Sequence, residues 1–387
     1  MIFLQIIQFI LLAYLGFAAL YIFIFSFASL FSARTKKTTS AKKLKYAVLI
    51  PGYKEDQVII EVAQDALNQD YPTEMYDVIV IADSFRKETI EALRKLPIQV
   101  IEVSFKLSTK SKALNKAMDQ LPDIYDVALV LDADNLMESN FISKINNAFS
   151  EGYIAVQGHR VAKNFNTPFA ILDAISEEVN NKIFRKGHRV LGLSAALIGS
   201  GMAMDYKYFK KMMKSIKAVG GFDKEIELQM LREKIRIEFL NDAIVYDEKV
   251  QKAEVFSKQR RRWLSAQLHY FSMDFITSIK HLILYGNFDY FDKAIQFIQP
   301  PRVMLLGLLL LINLISIFIN PIQWSFIWLG VLVTCILALI FSIPVKFYNA
   351  NTVKAIFTLP LAFFLMFLSL CNIRGANKKF IHTEHGT

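Results

Sequence analysis

Runs of apolar residues divide the chain into membrane-like ends and a mixed middle. Met1–Phe31 contains no charged residue, and Val303–Ile319, Trp324–Ile343 and Ala355–Ile373 are equally uncharged. A helix needs about 20 apolar residues to span a bilayer core, so each run is long enough, or nearly so, to cross. A cleavable signal would open with charge and carry a shorter apolar stretch. Residues 1–32 are therefore read as a retained transmembrane anchor, and 303–373 as two or three further spans. Between them the period changes. Lys45–Ile50, Asp77–Ala82, Ile98–Val103 and Asp126–Leu131 are short runs rich in β-branched residues, with helical patterns at 56–69, 86–95 and 110–120 between them. Strands alternating with helices predict an α/β fold with a doubly wound, mostly parallel sheet, whose ligands gather beyond the carboxyl ends of the strands.

Charge adds an orientation. Arg34, Lys36, Lys37, Lys42, Lys43 and Lys45 follow the first apolar run directly, so residues 33–44 form a basic linker. The positive-inside rule puts that linker, and the domain behind it, in the cytosol of a multi-pass integral membrane protein. The formal net charge of +10 then points to anionic membrane lipids. No nucleic-acid-binding motif accompanies the lysines, so nucleic acid is not expected as a partner. The two cysteines, Cys335 and Cys371, lie in apolar runs and suggest neither a disulfide framework nor a cysteine metal site.

Polar punctuation collects at the predicted strand ends: Pro51-Gly-Tyr-Lys-Glu-Asp56, then Asp83, then Asp132-Ala-Asp134. Two carboxylates spaced by one residue on a turning backbone can face one divalent cation and its diphosphate, and Mg2+ and Mn2+ favour such oxygen ligands. Aspartates also start loops and cap helices, so Asp132, Asp134 and Asp83 each have a purely structural alternative. Lys112, in Lys110-Ser-Lys-Ala-Leu-Asn115, suits either a nucleotide contact or a solvated helix face.

In order, these segments resemble the inverting family 2 glycosyltransferases of GT-A fold, over roughly residues 45–265. The resemblance implies that Tyr53, Glu55, Asp83 and Lys112 bind the donor, that Asp132 and Asp134 hold the metal, and that Gly199-Ser200-Gly201 lies on the acceptor side. The family's Glu-Asp pair is missing from Gly220-Gly-Phe-Asp-Lys-Glu-Ile-Glu-Leu228. Aligning the following Glu-Leu puts Glu225 at the catalytic-base position, with Asp223 the competing candidate. Gln259-Arg-Arg-Arg-Trp263 matches the Gln-x-x-Arg-Trp signature of cellulose, chitin and hyaluronan synthases and of ceramide glucosyltransferases. Helical spacing puts Gln259, Arg262 and Trp263 on one face. In that resemblance Arg260 and Arg262 serve the donor diphosphate, while Gln259 and Trp263 serve the acceptor. The tail Phe380-Ile-His-Thr-Glu-His-Gly386 is similar to a synthase gating loop, with His382 and His385 in place of valine and lysine, and reads equally as a polar tail.

The expected organisation is a GT-A domain at 45–270, interfacial helices at 271–302, the spans at 303–373 and a tail at 374–387. The expected activity is metal-dependent sugar transfer, with inversion, from a nucleotide-sugar (a UDP-sugar in the first instance) to a glycan or lipid acceptor, either processively or once. The alternative is a non-catalytic, glycosyltransferase-like scaffold subunit with partners in an envelope complex. One conflict remains in the pattern. Three spans after the domain would carry the tail outside, whereas Arg374, Lys378 and Lys379 mark it as inside; Ala355–Ile373 with Pro360 reads either as a third span or as a re-entrant or interfacial segment.

Overall fold

The computed structural model describes residues 2–32, 42–216, 218, 220–319 and 321–372. Helix α1 (Ile2–Ala28) leads into β1 (Tyr46–Tyr53), α2 (Ile59–Ala66), β2 (Tyr76–Asp83), α3 (Lys87–Leu93), β3 (Gln99–Val103), α4 (Lys110–Gln120) and β4 (Val127–Val130). β1 is buried along nearly its whole length, as are Val78–Asp83 of β2 and all of β4, as strands covered on both faces must be. β3, β2, β1 and β4 run parallel, and their register aligns Tyr53 with Asp83, so these two residues emerge together.

After β4 the sheet turns mixed. β5 (Leu136–Met137), α5 (Phe141–Ser150), β6 (Ala155–Ala162), α6 (Pro168–Asn180), α7 (His188–Val190), β7 (Met202–Asp205), α8 (Tyr206–Met213), α9 (Phe222–Arg232) and β8 (Glu238–Asp247) follow. The complete order is β3-β2-β1-β4-β7-β6-β8-β5, with β7 antiparallel to both its neighbours. The expected doubly wound sheet is therefore mixed: parallel through its first half and again between β6 and β8, antiparallel at β7 and β5. The reason lies in the return of the chain through Gly199–Gly201, which brings β7 back alongside β4. Two apolar layers pack on the sheet, one including Leu114, Phe209 and Met230 and the other Ile59, Phe141 and Ile145. Each fully buried aliphatic or aromatic side chain contributes about 1.5–3 kcal/mol to holding the layers.

The membrane-like part is helical. α10 (Ala253–Tyr285) and α11 (Phe288–Ile298) lead to α12 (Arg302–Ile319) and α13 (Ile322–Ser342), followed by α14 (Ala350–Ile356) and α15 (Leu359–Cys371). Among the described residues three helices are long and apolar enough to cross a membrane: Gln5–Ala28, Arg302–Ile319 and Ile322–Ser342. The fourth expected run is instead a pair, α14 and α15, bent by 45° where Pro360 opens α15. A proline ring tolerates only the first turn of a helix, so the chain breaks ahead of it. Both halves stay beside the α/β domain. α14 packs on α6, Lys346 just before it pairs with Glu178 at 2.7 Å, and Ser369 near the end of α15 meets Ser257 at 3.1 Å.

α1 docks against α13 through Ala18, Ala19, Cys335 and Ala338, small side chains that let two helices approach closely. It also meets the α/β domain. After α6 the backbone widens into π-helical turns at Asn181–Gly187, and Gly187 lies so near α1 that a Cβ there would come within 2.1 Å of the Phe25 carbonyl oxygen. The basic linker's Arg34, Lys36 and Lys37, and the tail with His382 and His385, lie outside the described residues.

Candidate active site

Short structural devices bring three acids together at the carboxyl edge of the sheet. Asp132 and Asp134 follow β4 on a tight turn, and the two-residue strand β5 then pairs antiparallel with the end of β8, Leu136 opposite Tyr246. That pairing carries Asp134 and Asn135 alongside Asp247, the last residue of β8. Asp132, Asp134 and Asp247 each bring a carboxylate oxygen within 4.8 Å of the others. Asn135 clips the group, its Nδ2 donating to Asp134 Oδ1 and Asp247 Oδ1, both at 3.1 Å. Three carboxylate oxygens that close together suit one oxygen-seeking divalent cation, with room in its shell for phosphate and water.

Cations surround the acids. Lys110 Nζ lies 2.5 Å from Asp132 and Lys249 Nζ 2.6 Å from Asp247, while Arg160 reaches Asp132 at 3.9 Å, Asp247 at 3.7 Å and Glu177 at 2.8 Å. Burial alone would raise the pKa of Asp247. Arg160 and Lys249 outweigh it and hold the carboxyl below its ordinary value. Glu177 is likewise held well below its usual range, burial again being overcome by Arg160, Lys249 and Arg185. Asp247 is thus held in the charged form that a cation would bind.

A cavity of about 890 Å³ opens from this cluster. Tyr53, Glu55 and Asp83 line its donor end, and Asp83 also accepts a hydrogen bond from Ser84 Oγ at 2.9 Å. Gly199 lines it too. Ser200 is fully buried, its hydroxyl donating to Asn135 and accepting from the Asp132 backbone at 3.2 Å, and Gly201 packs on Val245. The glycine-rich loop therefore acts first as a support for the aspartate turn. Lys112 is not brought to the cavity: its Nζ donates to the Leu107 carbonyl at 2.8 Å on the exposed side of α4. Lys110, two residues earlier, lines the cavity instead.

At the start of α9 the wall includes Asp223 and not Glu225. Glu225 Oε2 accepts from the Ala218 backbone N–H at 3.1 Å, while Asp223 lies beside Gly199, whose carbonyl is held by Lys110 at 2.7 Å. Gln259, Arg262 and Trp263 of α10 line the cavity, on the shared face that their spacing predicts, and Arg260 lines it as well. Arg262 faces Asp132: burial lowers its pKa and the charge of Asp132 opposes the shift. Arg260 instead bonds Asp173 and stacks 4.4 Å from the Trp263 ring and 4.8 Å from that of Phe256. At the far end the wall becomes apolar, with Val303, Leu306, Leu339, Ile356 and Met366 from the membrane-like helices.

Sequence reasoning missed Asp247, Asn135, Arg160, Lys110 and Lys249. Asp247 did carry a signal, because Ala243-Ile-Val-Tyr-Asp247 repeats the apolar-run-into-aspartate pattern of Leu129-Val-Leu-Asp132.

A strand-end acid cluster beneath a nucleotide-sized cavity defines a GT-A-type transferase domain. The family model described as glycosyltransferase like family 2 matches residues 44–266, and the chain belongs to that family. Among solved structures, mannosyltransferase PcManGT from Pyrobaculum calidifontis, in complex with GDP-Man and Mn2+, is similar at 15% identity and a TM-score of 0.52, covering 87% of this chain and 99% of its own. The TarS 1-349 structure from S. aureus has 14% identity and a TM-score of 0.41, covering 87% of this chain and 90% of its own. No curated protein matches in sequence.

Proposed function

We propose that the protein is a membrane-embedded, inverting glycosyltransferase that moves a sugar from a nucleoside-diphosphate sugar to a lipid acceptor at the cytosolic membrane surface. The observation that carries this reading is the single cavity that joins the acid cluster to the apolar faces of the membrane-like helices. A lipid can enter along the apolar end while the nucleotide enters at the other. Ile356 lines the cavity and is also 48% exposed, which suits a lateral mouth beside α14.

Asp132, Asp134 and Asp247 would hold Mg2+ or Mn2+, which supplies positive charge to the donor diphosphate. Tyr53, Glu55 and Asp83 would seat the nucleoside. Arg262 carries the charge that develops as the diphosphate leaves, since preorganised cations stabilise such charge without reorganising. Asp223 takes the proton of the attacking hydroxyl, with Glu225 the reading it displaces. Trp263 offers a flat apolar face to the sugar or lipid headgroup.

Topology supports the same side for all these parts. With the basic linker inside, α12 and α13 form an out-and-back pair, and the bent α14–α15 pair returns to the α/β domain. The tail then lies inside, as its basic residues require.

The test incubates membranes containing the full chain with a panel of labelled nucleotide sugars. Metal-dependent label in the lipid extract is expected, and Asp134→Ala should abolish it. Label in insoluble polymer would favour processive synthesis of the cellulose- or chitin-synthase kind. No metal-dependent transfer or hydrolysis from any donor would favour the scaffold reading.

A further inference from the structure

The membrane end of the cavity holds polar groups for which the mechanism above has no use. Arg302, the first residue of α12, sits where the span begins and therefore at the depth of lipid headgroups. Its guanidinium donates to Asn180 Oδ1 at 2.8 Å and to the backbone and hydroxyl oxygens of Ser176, both at 3.2 Å. All three acceptors are neutral. Among the described residues no carboxylate comes within 4.0 Å, although Arg160, Arg185, Arg189, Arg232 and Arg260 each pair with one. The planar fork also has more N–H groups than these acceptors use.

Gln299 lies three residues before Arg302, across the two prolines. Its side chain is 93% buried (7% exposed), it lines the cavity, and neither Oε1 nor Nε2 has a hydrogen-bond partner. Gln259 Oε1, on the same wall, is unpartnered as well. Leaving a buried amide unsatisfied costs about 1–3 kcal/mol, so two of them in the wall of the cavity that Arg302 also lines mark a seat built for something polar. A guanidinium with free N–H groups matches the oxygens of a phosphate ester, and amide N–H groups can add to that grip. The surrounding wall of Val303, Leu306 and Ile356 suits acyl or isoprenoid chains rather than a soluble anion.

We propose that the acceptor lipid carries a phosphate-ester headgroup, which Arg302 and Gln299 hold at the membrane end of the cavity. This rests on the reading of the protein as a lipid glycosyltransferase. The site positions the acceptor and leaves the chemistry to the acid cluster.

The probes are dihexanoyl phosphatidate and dihexanoylglycerol, which share acyl chains and differ by the phosphate. Thermal stabilisation of the detergent-solubilised full chain is titrated with each. Phosphatidate should half-saturate at a concentration about tenfold lower than the diglyceride, and it should slow transfer to the endogenous lipid. Arg302→Gln should bring the two probes together, and Arg302→Lys should keep most of the preference. Equal binding of the two probes by the unaltered chain would overturn the proposal without any variant. So would a retained preference in Arg302→Gln, or stabilisation by inorganic phosphate as strong as that by phosphatidate. Binding without competition against transfer would make the lipid a bystander, and would overturn the acceptor assignment too. Manganese-dependent binding of UDP and GDP is measured in parallel. Its loss in the unaltered chain would sink the glycosyltransferase mechanism while leaving the phosphatidate result standing.

Discussion

At the scale of single residues, the acid cluster depends on neighbours that neutralise it in part. Asp247 has Lys249 at 2.6 Å and Arg160 at 3.7 Å, cations that offset the crowding of three acids and hold its carboxyl below the ordinary value. Asp247→Asn should therefore weaken manganese-dependent nucleotide binding by at least about tenfold, as loss of an anionic metal ligand does, measured by titrating the metal at fixed nucleotide. The base assignment has its own test. Asp223→Asn should cut turnover by about 10²–10⁴ with donor affinity nearly unchanged, whereas Glu225→Gln should keep most of its turnover. The reverse pattern would return the role to Glu225. Asp132 and Asp134 were legible because they end an apolar run within three residues of each other. Asp247 was not, because more than a hundred residues separate it from them, and only the β5–β8 pairing closes that gap. Arg160 was hidden by a slip in register between Gly158 and His159, which resets the alternation of β6 against β8.

A second residue-scale consequence concerns acid stability. Glu178 accepts from Lys346 at 2.7 Å and faces His159 Nε2 at 2.9 Å, while the other ring nitrogen of His159 faces the Asn241 carbonyl at 2.8 Å. Burial would raise the pKa of Glu178, but these partners lower it from 4.5 to about 2. An acid depressed on folding stabilises the folded form above its unfolded pKa, and that contribution is lost as pH falls from the ordinary glutamate range towards the folded value. The shift is worth on the order of 3 kcal/mol. Glu178→Gln should lower Tm near neutrality and flatten its decline on acidification; an unchanged acid limb would count against the pairing.

Among the elements, strands were the most legible. β1, β2, β3 and β4 fall within a few residues of the runs that predict them; β1, β2 and β4 do so because strands buried on both faces must be largely apolar, whereas β3, at the sheet edge, is only partly buried. The last apolar run was the least legible. Composition made it one span, and only Pro360 hinted at the break between α14 and α15. Contacts with α6 and α10 hold both pieces beside the α/β domain, and no pattern within the run itself encodes those contacts. The widened turn of α6 is another element whose reason is tertiary. It puts Gly187 against the Phe25 carbonyl, a fit that a methyl group would spoil. Gly187→Ala should cost about 1–3 kcal/mol, read as a lower Tm of the detergent-solubilised chain. Gly192→Ala is a poor control because of its left-handed φ of 83°.

For the molecule entire, the arrangement of spans predicts where the ends lie. A protease-sensitive tag after Thr387 should be cleaved only when the cytosolic face is exposed, as in inverted vesicles. Cleavage from the opposite face would mean that the α14–α15 pair crosses, and would separate the tail from the acid cluster. The acidic strand ends were legible in the chain because each follows directly on an apolar run. The shape of the cavity was not, because it arises from six or more elements meeting at one place.

α10 runs for 33 residues without a break, from the Gln259–Trp263 segment in the cavity wall to Tyr285, and α11 packs back along it towards Arg302. At 1.5 Å per residue that rod is about 50 Å long, and a helix of this kind does not stretch. The reaction centre and the start of the membrane span are therefore pegged to one stiff part at a set separation. Under the proposed lipid transfer the domain would work as a gauge: an acceptor whose reactive hydroxyl stood at the wrong height above its anchoring chains would be rejected by length alone, before any chemistry discriminated against it.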